Sequence, residues 1–524
     1  MRRVLLVSGG LALLGACRTL TPSYSEPELT GSARPPSDWR ASLSGKTQEA
    51  LMTGWLEDFG DRRLETFVRE AVEANPDLQA TAERLRIAKQ RTIQTGADRF
   101  PQIRLNSGAN RRERVETRTE SVTSPASPMA SPGAGTPDAG ADGMLPAGMV
   151  DLAGAQPTAV TETRSYDVKE WRTDYDLALD LSWEIDVWGR LRNRTRASGA
   201  EFQAAAEDYA SARLSLAANV AKAWFNLTES ERLVELAAST VKSFEGNLQV
   251  LEGNFEKGIN GITGLDISLS RANVAAAKSS LQNRARDRDR ARRSLETLLG
   301  RYPAAQVPSA DALPNLRRDI PVGLPSELLL RRPDILAAER RYAAAIERVA
   351  EAKKALLPSV RITGATGTTT TDFAKLLNQE LFLSSVAASV TQSIFEGGRL
   401  RANIEISKAQ QRELAATYTS IALTAFREVE IALAAERYLE AQIEALKVAA
   451  KESVTAETLA LQQFGRQLVN TTTVLDSQRR AFEAQTSLIQ AENQRLQNRV
   501  DLYLALGGDF ETRVQPPIGP ARVE

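Results

Sequence analysis

The chain carries one pattern twice. Pro76-Asp77 is followed by Pro101, and Pro333-Asp334 by Pro358, an offset of 333 − 76 = 257 residues. Ala80, Arg84, Ala88 and Arg91 then align with Ala337, Arg341, Ala345 and Arg348, at helical spacing. Further on, Gly189-Arg190-Leu191-Arg192 recurs as Gly398-Arg399-Leu400-Arg401, an offset of 398 − 189 = 209. The first copy therefore holds 257 − 209 = 48 extra residues between Pro101 and Gly189. Duplication on this scale predicts one body of two related halves rather than a string of unrelated domains.

Each half reads helix, strand, strand, long helix, turn, helix. Residues 62–99 form a helical stretch with a restart at Asn75-Pro76-Asp77, where Asn caps, Pro takes the first turn and Asp follows. After each Gly-Arg-Leu-Arg a helix runs without a proline, over about 191–255 and 400–464, with return helices at about 265–299 and 475–506. Helices of that length cannot wrap a compact core; they pack along one another in coiled-coil fashion. The Arg284–Arg293 run, with Asp287 and Asp289, is a solvated helical face.

One strand is unmistakable. Tyr175, Leu177, Leu179, Leu181, Trp183, Ile185 and Val187 alternate with Asp174, Asp176, Ala178, Asp180, Ser182, Glu184 and Asp186. One face is apolar and the other strongly acidic, as a barrel with lipid outside and water inside requires. The strands are expected at about 101–112 and 173–187 in the first half and 358–371 and 381–396 in the second, where Phe382, Val386, Val390 and Ile394 share a face. Residues 113–165, rich in Pro, Ala, Gly and Ser, read as a flexible insertion. Two strands per half give four per chain. Four cannot close around a lumen, whereas three chains supply twelve.

At the N-terminus, Arg2-Arg3 precede the apolar run Val4–Leu14, which is too short to span a bilayer, and Leu14-Gly15-Ala16-Cys17 follows. This resembles a bacterial lipobox: residues 1–16 are a signal peptide, and Cys17 carries a covalent lipid. The alternative is an ordinary secretory signal followed by an unmodified cysteine. Arg18, where an Asp signals inner-membrane retention, favours the outer membrane. Residues 17–60 read as an extended lipid-anchored segment, 61–300 as the first half-repeat, 301–323 as a linker, 324–508 as the second half-repeat and 509–524 as a tail. No later run is apolar and long enough for a transmembrane helix, so a spanning role requires a closed barrel.

Composition removes several functions. Lys+Arg and Asp+Glu both number 66, so nothing favours a nucleic-acid partner. There is no histidine, which excludes Ser-His-Asp triads and H-E-x-x-H zinc sites, and the single cysteine excludes an intramolecular disulfide. The turn Gly258–Gly264 lacks the Lys-Ser/Thr of a phosphate-binding loop. No catalytic constellation, metal site or cofactor is expected.

The segment Leu324-Pro325-Ser326-Glu327-Leu328-Leu329-Leu330-Arg331-Arg332-Pro333-Asp334-Ile335, followed by Ala338-Glu339, resembles the signature of the outer membrane efflux proteins, the TolC-like factors, in their lipidated NodT-type subfamily. Phe395–Arg399, Val474-Leu475-Asp476-Ser477-Gln478-Arg479 and Leu504–Gly508 are similar to other motifs of that family. The resemblance implies a mainly α fold with a membrane β part. It implies a homotrimer with a twelve-stranded barrel among outer membrane lipids and a long periplasmic α-helical barrel. The implied partners are a periplasmic membrane fusion protein and an inner-membrane transporter, most simply of the RND type, in a passive duct for drugs and toxic compounds. The alternatives are the duct of a type I protein secretion system and, in another class, a periplasmic coiled-coil structural or adaptor lipoprotein, for which strand 175–187 has no use. The resemblance also places Asp476 at the periplasmic gate, as a ring of three carboxylates, with Asp266 as its first-half counterpart. The alternative, read from the residues alone, is that Asp476 caps a helix start, and both roles can hold together.

Overall fold

The computed structural model describes residues 54–124, 160–258, 262–310, 312–314, 316 and 325–508, with isolated residues between 27 and 41. Cys17 and the tail 509–524 lie outside the described residues. The chain divides into a helical unit (up to Phe100, Asp186–Ser359, Thr391 onward) and a sheet unit (Pro101–Ile185, Val360–Val390).

The helical unit contains α1 (Arg62–Ala74), α2 (Pro76–Ala97), α3 (Arg190–Glu256), α4 (Gly264–Leu298), α5 (Pro325–Arg331), α6 (Pro333–Lys354), α7 (Arg399–Gly465) and α8 (Thr471–Ala505). Helices α3 and α7 have 67 residues each, roughly 100 Å at 1.5 Å per residue. The Asn75 restart forms as its residues dictate: the side chain accepts from Asp77 N and Leu78 N, with Pro76 in the first turn.

A core of Trp55, Phe59, Leu64, Phe67, Trp224, Phe225, Leu295, Leu299, Val500 and Tyr503 fixes α1, α3, α4 and α8 together. Its aromatic rings pack closely, with Trp55 stacked on Tyr503 at 5.6 Å and Phe67 edge-on to Trp224 at 5.2 Å. Each such pair contributes about 0.5–1.5 kcal/mol beyond the area it buries. A second core of Ile335, Ala338, Ala425, Val429, Leu433, Leu502 and Leu506 ties α6 to α7 and α8. Between α7 and α8, Arg499 donates to Glu436 at 2.7 Å and Arg495 to the same carboxylate at 3.0 Å. Glu436 and Arg499 are both buried, and removing one partner of such a pair costs about 3–5 kcal/mol.

One expectation needs correction here. The segment 17–60 is not extended throughout: Trp55–Phe59 is a 3-10 turn with four buried residues. Upstream, Trp39 packs on Phe426, and the Arg40 and Ala41 amides donate to Glu430 of α7 at 2.9 and 2.8 Å. Large aromatic side chains in a proline-rich stretch find apolar surface to cover. The linker after α4 is held against the helix it leaves. The Glu296 carboxylate accepts from the Ala305, Gln306 and Val307 amides at 2.6, 2.6 and 3.1 Å. Burial raises its pKa, but those three donors outweigh burial and hold it below the ordinary glutamate value.

The sheet unit is antiparallel in the order β1-β2-β3-β4: β1 (Gln102–Ser124), β2 (Val160–Ile185), β3 (Ser359–Thr370) and β4 (Leu383–Thr391). The strands of the first half are longer than their expected ranges. Residues 113–124 and 160–165, expected to belong to the flexible insertion, belong to β1 and β2, which stay paired to Ser124↔Val160. Cross-strand partners hold this stretch: Thr117 with Asp167 at 2.7 Å, Arg118 with Glu170 at 2.9 Å, and Arg111 over the Trp171 ring at 5.0 Å. Residues 125–159 of the insertion lie outside the described residues. Strand β4 is shorter than 381–396. Asn378 caps a 3-10 turn that ends on Phe382, and pairing stops where Pro358, which has no N–H, precedes β3.

Candidate functional site: the helix turns and the water-facing sheet

The register separates the two faces of the sheet. Ile103↔Leu181, Leu105↔Leu179, Leu177↔Thr368 and Trp183↔Ile362 fall on one face; Arg104↔Asp180, Gly108↔Asp176 and Glu184↔Arg361 fall on the other. Leu105 is 69 % exposed and Val386 81 % exposed, so the apolar side is uncovered in the protomer. On the polar side Asn106 donates to Asp180, and Arg361 lies 3.7 Å from Glu184. Gly108 leaves room for the Asp176 carboxylate, which a Cβ there would meet at 2.7 Å. From Tyr175 to Ile185 the apolar face rises about 33 Å along the strand at 3.3 Å per residue, or about 25 Å once tilted by roughly 40°, the height of a membrane barrel's apolar belt.

At the far end of the long helices, two turns reverse the chain. The first follows Gly258 (φ 68°) and starts α4 at an N-cap Thr263. Thr263 Oγ1 accepts from Asp266 N at 3.4 Å, while Asp266 accepts from Thr263 N at 2.8 Å and from Thr263 Oγ1 at 2.6 Å, a closed capping box. The second turn passes Gln467 (φ 62°) and starts α8 at Asn470, whose side chain accepts from Thr473 N at 2.9 Å and Thr473 Oγ1 at 2.7 Å. Leu251, Ala460, Phe464 and Val474 pack the two turns together, with Ile262 and Val469 beside them.

This geometry alters the expected pairing of Asp266 with Asp476. Counting from the caps, Asp266 is the third residue of α4 (266 − 263) and Asp476 the sixth of α8 (476 − 470). The positional match of Asp266 is Thr473, and that of Asp476 is Leu269. Asp476 is also not a helix cap, because α8 begins at Thr471 and Asn470 does the capping. Its carboxylate instead accepts from Arg479 Nη2 at 2.9 Å and Arg480 Nε at 2.7 Å. The Arg480 and Arg479 hydrogen bonds hold its pKa below the ordinary aspartate value. Thr263 does the same for Asp266, with Thr471 contributing across the two turns.

Sequence reasoning missed Arg479 and Arg480 as partners, although their spacing from Asp476 at i+3 and i+4 is a readable helical signal. It also did not assign a role to the motif residues Arg332 and Asp334. Arg332 stands at the start of α6 with its side chain 11 % exposed. It donates from Nε and Nη2 to Asp334 at 2.9 Å and reaches Ala505 O at 3.2 Å and Glu428 at 2.6 Å. The motif therefore stitches α6 to α7 and α8, beside a cleft of about 450 Å³ that Arg427, Asn498 and Asp501 also line. Among the described residues no group of three acidic or sulfur ligands is placed to hold a metal ion, and no helix is long and apolar enough to cross a membrane.

A sheet with one membrane-height apolar face and one acidic face, in a chain of paired long helices, defines an outer membrane channel with a large helical part. Residues 156–301 and 324–508 match the family described as outer membrane efflux protein, and the chain belongs to that family. Outer membrane protein OprJ of Pseudomonas aeruginosa is 30 % identical over 502 residues, covering 95 % of this chain and 94 % of OprJ. The toluene efflux pump outer membrane protein TtgF of Pseudomonas putida is 32 % identical over 347 residues, 66 % of this chain and 72 % of TtgF. Among solved structures, the outer-membrane channel OprN superposes with a TM-score of 0.75 at 25 % identity, covering 94 % of this chain and 99 % of OprN. TtgF is named as part of a toluene efflux pump and OprN as an outer-membrane channel, and the protein is an outer membrane efflux channel component.

Proposed function

We propose that three copies of this chain form the passive duct of a tripartite pump that exports small toxic organic molecules. The duct engages a periplasmic membrane fusion protein and an inner-membrane transporter of the RND type, and a lipid on Cys17 anchors each copy. One observation carries this reading: the four-stranded sheet has an uncovered apolar face of membrane height and an acidic reverse. Among the described residues, β1 and β4 each have an unpaired edge. Open edges are aggregation-prone, and closure by three copies into twelve strands removes them.

The test is reconstitution of the full protein into planar bilayers together with chemical crosslinking. Trimers and discrete conductance steps are expected. Leu179→Arg, on the apolar face, is expected to destabilise insertion by about 2–4 kcal/mol at mid-bilayer depth, while Asp180→Asn inserts normally. Monomers with no conductance, or equal tolerance of Arg on both faces, would overturn the duct.

A further inference from the structure

We propose that the uncovered face of α7 docks a second copy of this chain head to tail. The occupant is the face formed by α2 and α4 of that copy, in a register fixed by the internal repeat. Within one chain, α3 packs on α2 and α4 of its own half and on α6 and α8 of the other half. Helix α7 packs on α6 and α8 of its own half, and among the described residues it has no comparable packing on α2 or α4. The repeat thus has two equivalent seams between its halves, and only one of them is made inside the chain.

Repeat mates differ in burial where the second seam is missing. Leu214 of α3 lines the cleft beside Asp501 and Leu504 of α8 and is 7 % exposed. Its mate on α7 is the same residue type, Leu423 (423 − 214 = 209), yet it is 45 % exposed. Ala197 of α3 is buried, and its mate Ile406 is more than half exposed. Across the seam, Ala344 and Ala350 of α6 are buried, whereas their mates Ile87 and Ile93 of α2 (344 − 257 = 87, 350 − 257 = 93) are more than half exposed. Single exposed aliphatic residues are ordinary. Here the uncovered ones fall at repeat positions whose mates are covered, on both sides of one seam.

The seam made inside the chain supplies the register. Arg348 of α6 pairs with Glu201 of α3 at 3.1 Å, and Arg341 pairs with Asp208. Moved by the repeat offsets, Arg91 of the second copy falls opposite Gln410 (348 − 257 = 91, 201 + 209 = 410) and its Arg84 opposite Thr417. Ile93 of the second copy then stands within two residues of the level of Ile406, so the uncovered isoleucines meet. Further along the seam, Asn493 of α8 donates to Asn226 of α3 at 2.9 Å and to Glu229. The caps of α8 and α4 are offset by 470 − 263 = 207, so the mate of Asn493 is Arg286. Arg286 of the second copy falls between Ala435 and Tyr438, the mates of Asn226 and Glu229. Both Arg286 and Tyr438 are exposed in the single chain. A guanidinium against a tyrosine ring is attractive, and Arg437 already lies over this ring at 4.9 Å. A contact between different faces repeats head to tail and closes into a ring when the rotation permits.

The number of copies rests on the duct reading, so the experiment separates the two. Cysteine pairs are placed in the full protein, which is solubilised from membranes and treated with a short bismaleimide. Arg91→Cys with Gln410→Cys, and Arg286→Cys with Ala435→Cys, should each give dimer and trimer bands on a denaturing gel. The single-cysteine variants and the wild type should give neither. Arg348→Cys with Glu201→Cys, the mates inside the chain, should link within one copy and give no larger band. Arg91→Cys with Thr424→Cys, about 21 Å further along α7 at 1.5 Å per residue, should also give none. Native mass reads assembly without any cross-link. Trimers by native mass with neither pair linked overturn the interface, leave the duct standing and assign the α7 face to another protein. Equal bands from the Thr424 and Gln410 pairs overturn the register. Linked trimers that carry no current keep the interface and overturn the duct. Monomers by native mass, with no larger bands, overturn both.

Discussion

The two long-helix turns meet the same requirement with different chemistry. Both must satisfy the free amides at a helix start and stay packed against each other through Leu251 and Val474. The first uses its acid for this: Asp266 is locked to Thr263 in a capping box. The second uses Asn470, and its acid, Asp476, lies one turn further on, held by Arg479 and Arg480. An acid's nearness to a turn is therefore not evidence of its role. What matters is whether the cap has already taken it. Of the two, only the Asp476 carboxylate lies outside the cap, and it enters any ring at the duct axis already paired with two guanidiniums.

The largest expected effect breaks what the turns share. Leu251→Ala leaves a cavity where α3 meets α7 and α8 and should cost about 2–5 kcal/mol locally. Amide exchange should quicken at both 262–270 and 469–476. If only the first turn responds, the two do not share a core.

A smaller effect distinguishes the caps. Thr263→Ala and Asn470→Ala should each cost about 1 kcal/mol, read as a lowered unfolding midpoint. Only Thr263→Ala should also move the pH dependence. Asp266 has a depressed pKa, so its contribution is complete above the unfolded aspartate pKa of about 4 and fades as pH falls through the folded value. Loss of Thr263 raises that pKa and moves the fading to higher pH. Matching acid profiles for the two variants would remove the distinction.

The smallest effect concerns conduction. Asp476→Asn should leave assembly unchanged and shift ion preference towards anions, since it releases Arg479 and Arg480, whereas Asp266→Asn should not. Because both acids have depressed pKa values, wild-type conductance should stay flat between pH 5 and 8. A conductance step near pH 6 would mean that carboxylates crowded at the trimer axis outweigh their arginines.

The boundaries set by local chemistry were legible. Gly189 and Gly398 precede α3 and α7, Asn75 caps α2, and the alternation of 175–187 gives β2 its faces, because each depends on neighbours in sequence. The start of α8 was not legible. Thr471-Thr472-Thr473 has weak helix propensity, and the helix begins there because Asn470 caps it and Val474 is buried. The outer parts of β1 and β2 were hidden for a related reason. With polar residues on both faces there is no hydrophobic period to read, and the partners of Thr117 and Arg118 stand some fifty residues away in the chain. The roles of Asp266 and Asp476 were blurred by the same locality, since the sequence places both beside a turn but does not say which group closes the cap.

Because β1 and β2 stay in register from Gln102↔Ser182 to Ser124↔Val160, the arm they form can change length only in even steps. One residue inserted inside β1 would turn every later side chain to the opposite face, setting Arg112 towards lipid and Arg111 towards water. Two residues, matched by two in β2, would lengthen the arm and leave its chemistry in place. Drift in this part of the gene is thus filtered by parity before it is filtered by residue type, and a protein engineer extending the arm is bound by the same rule.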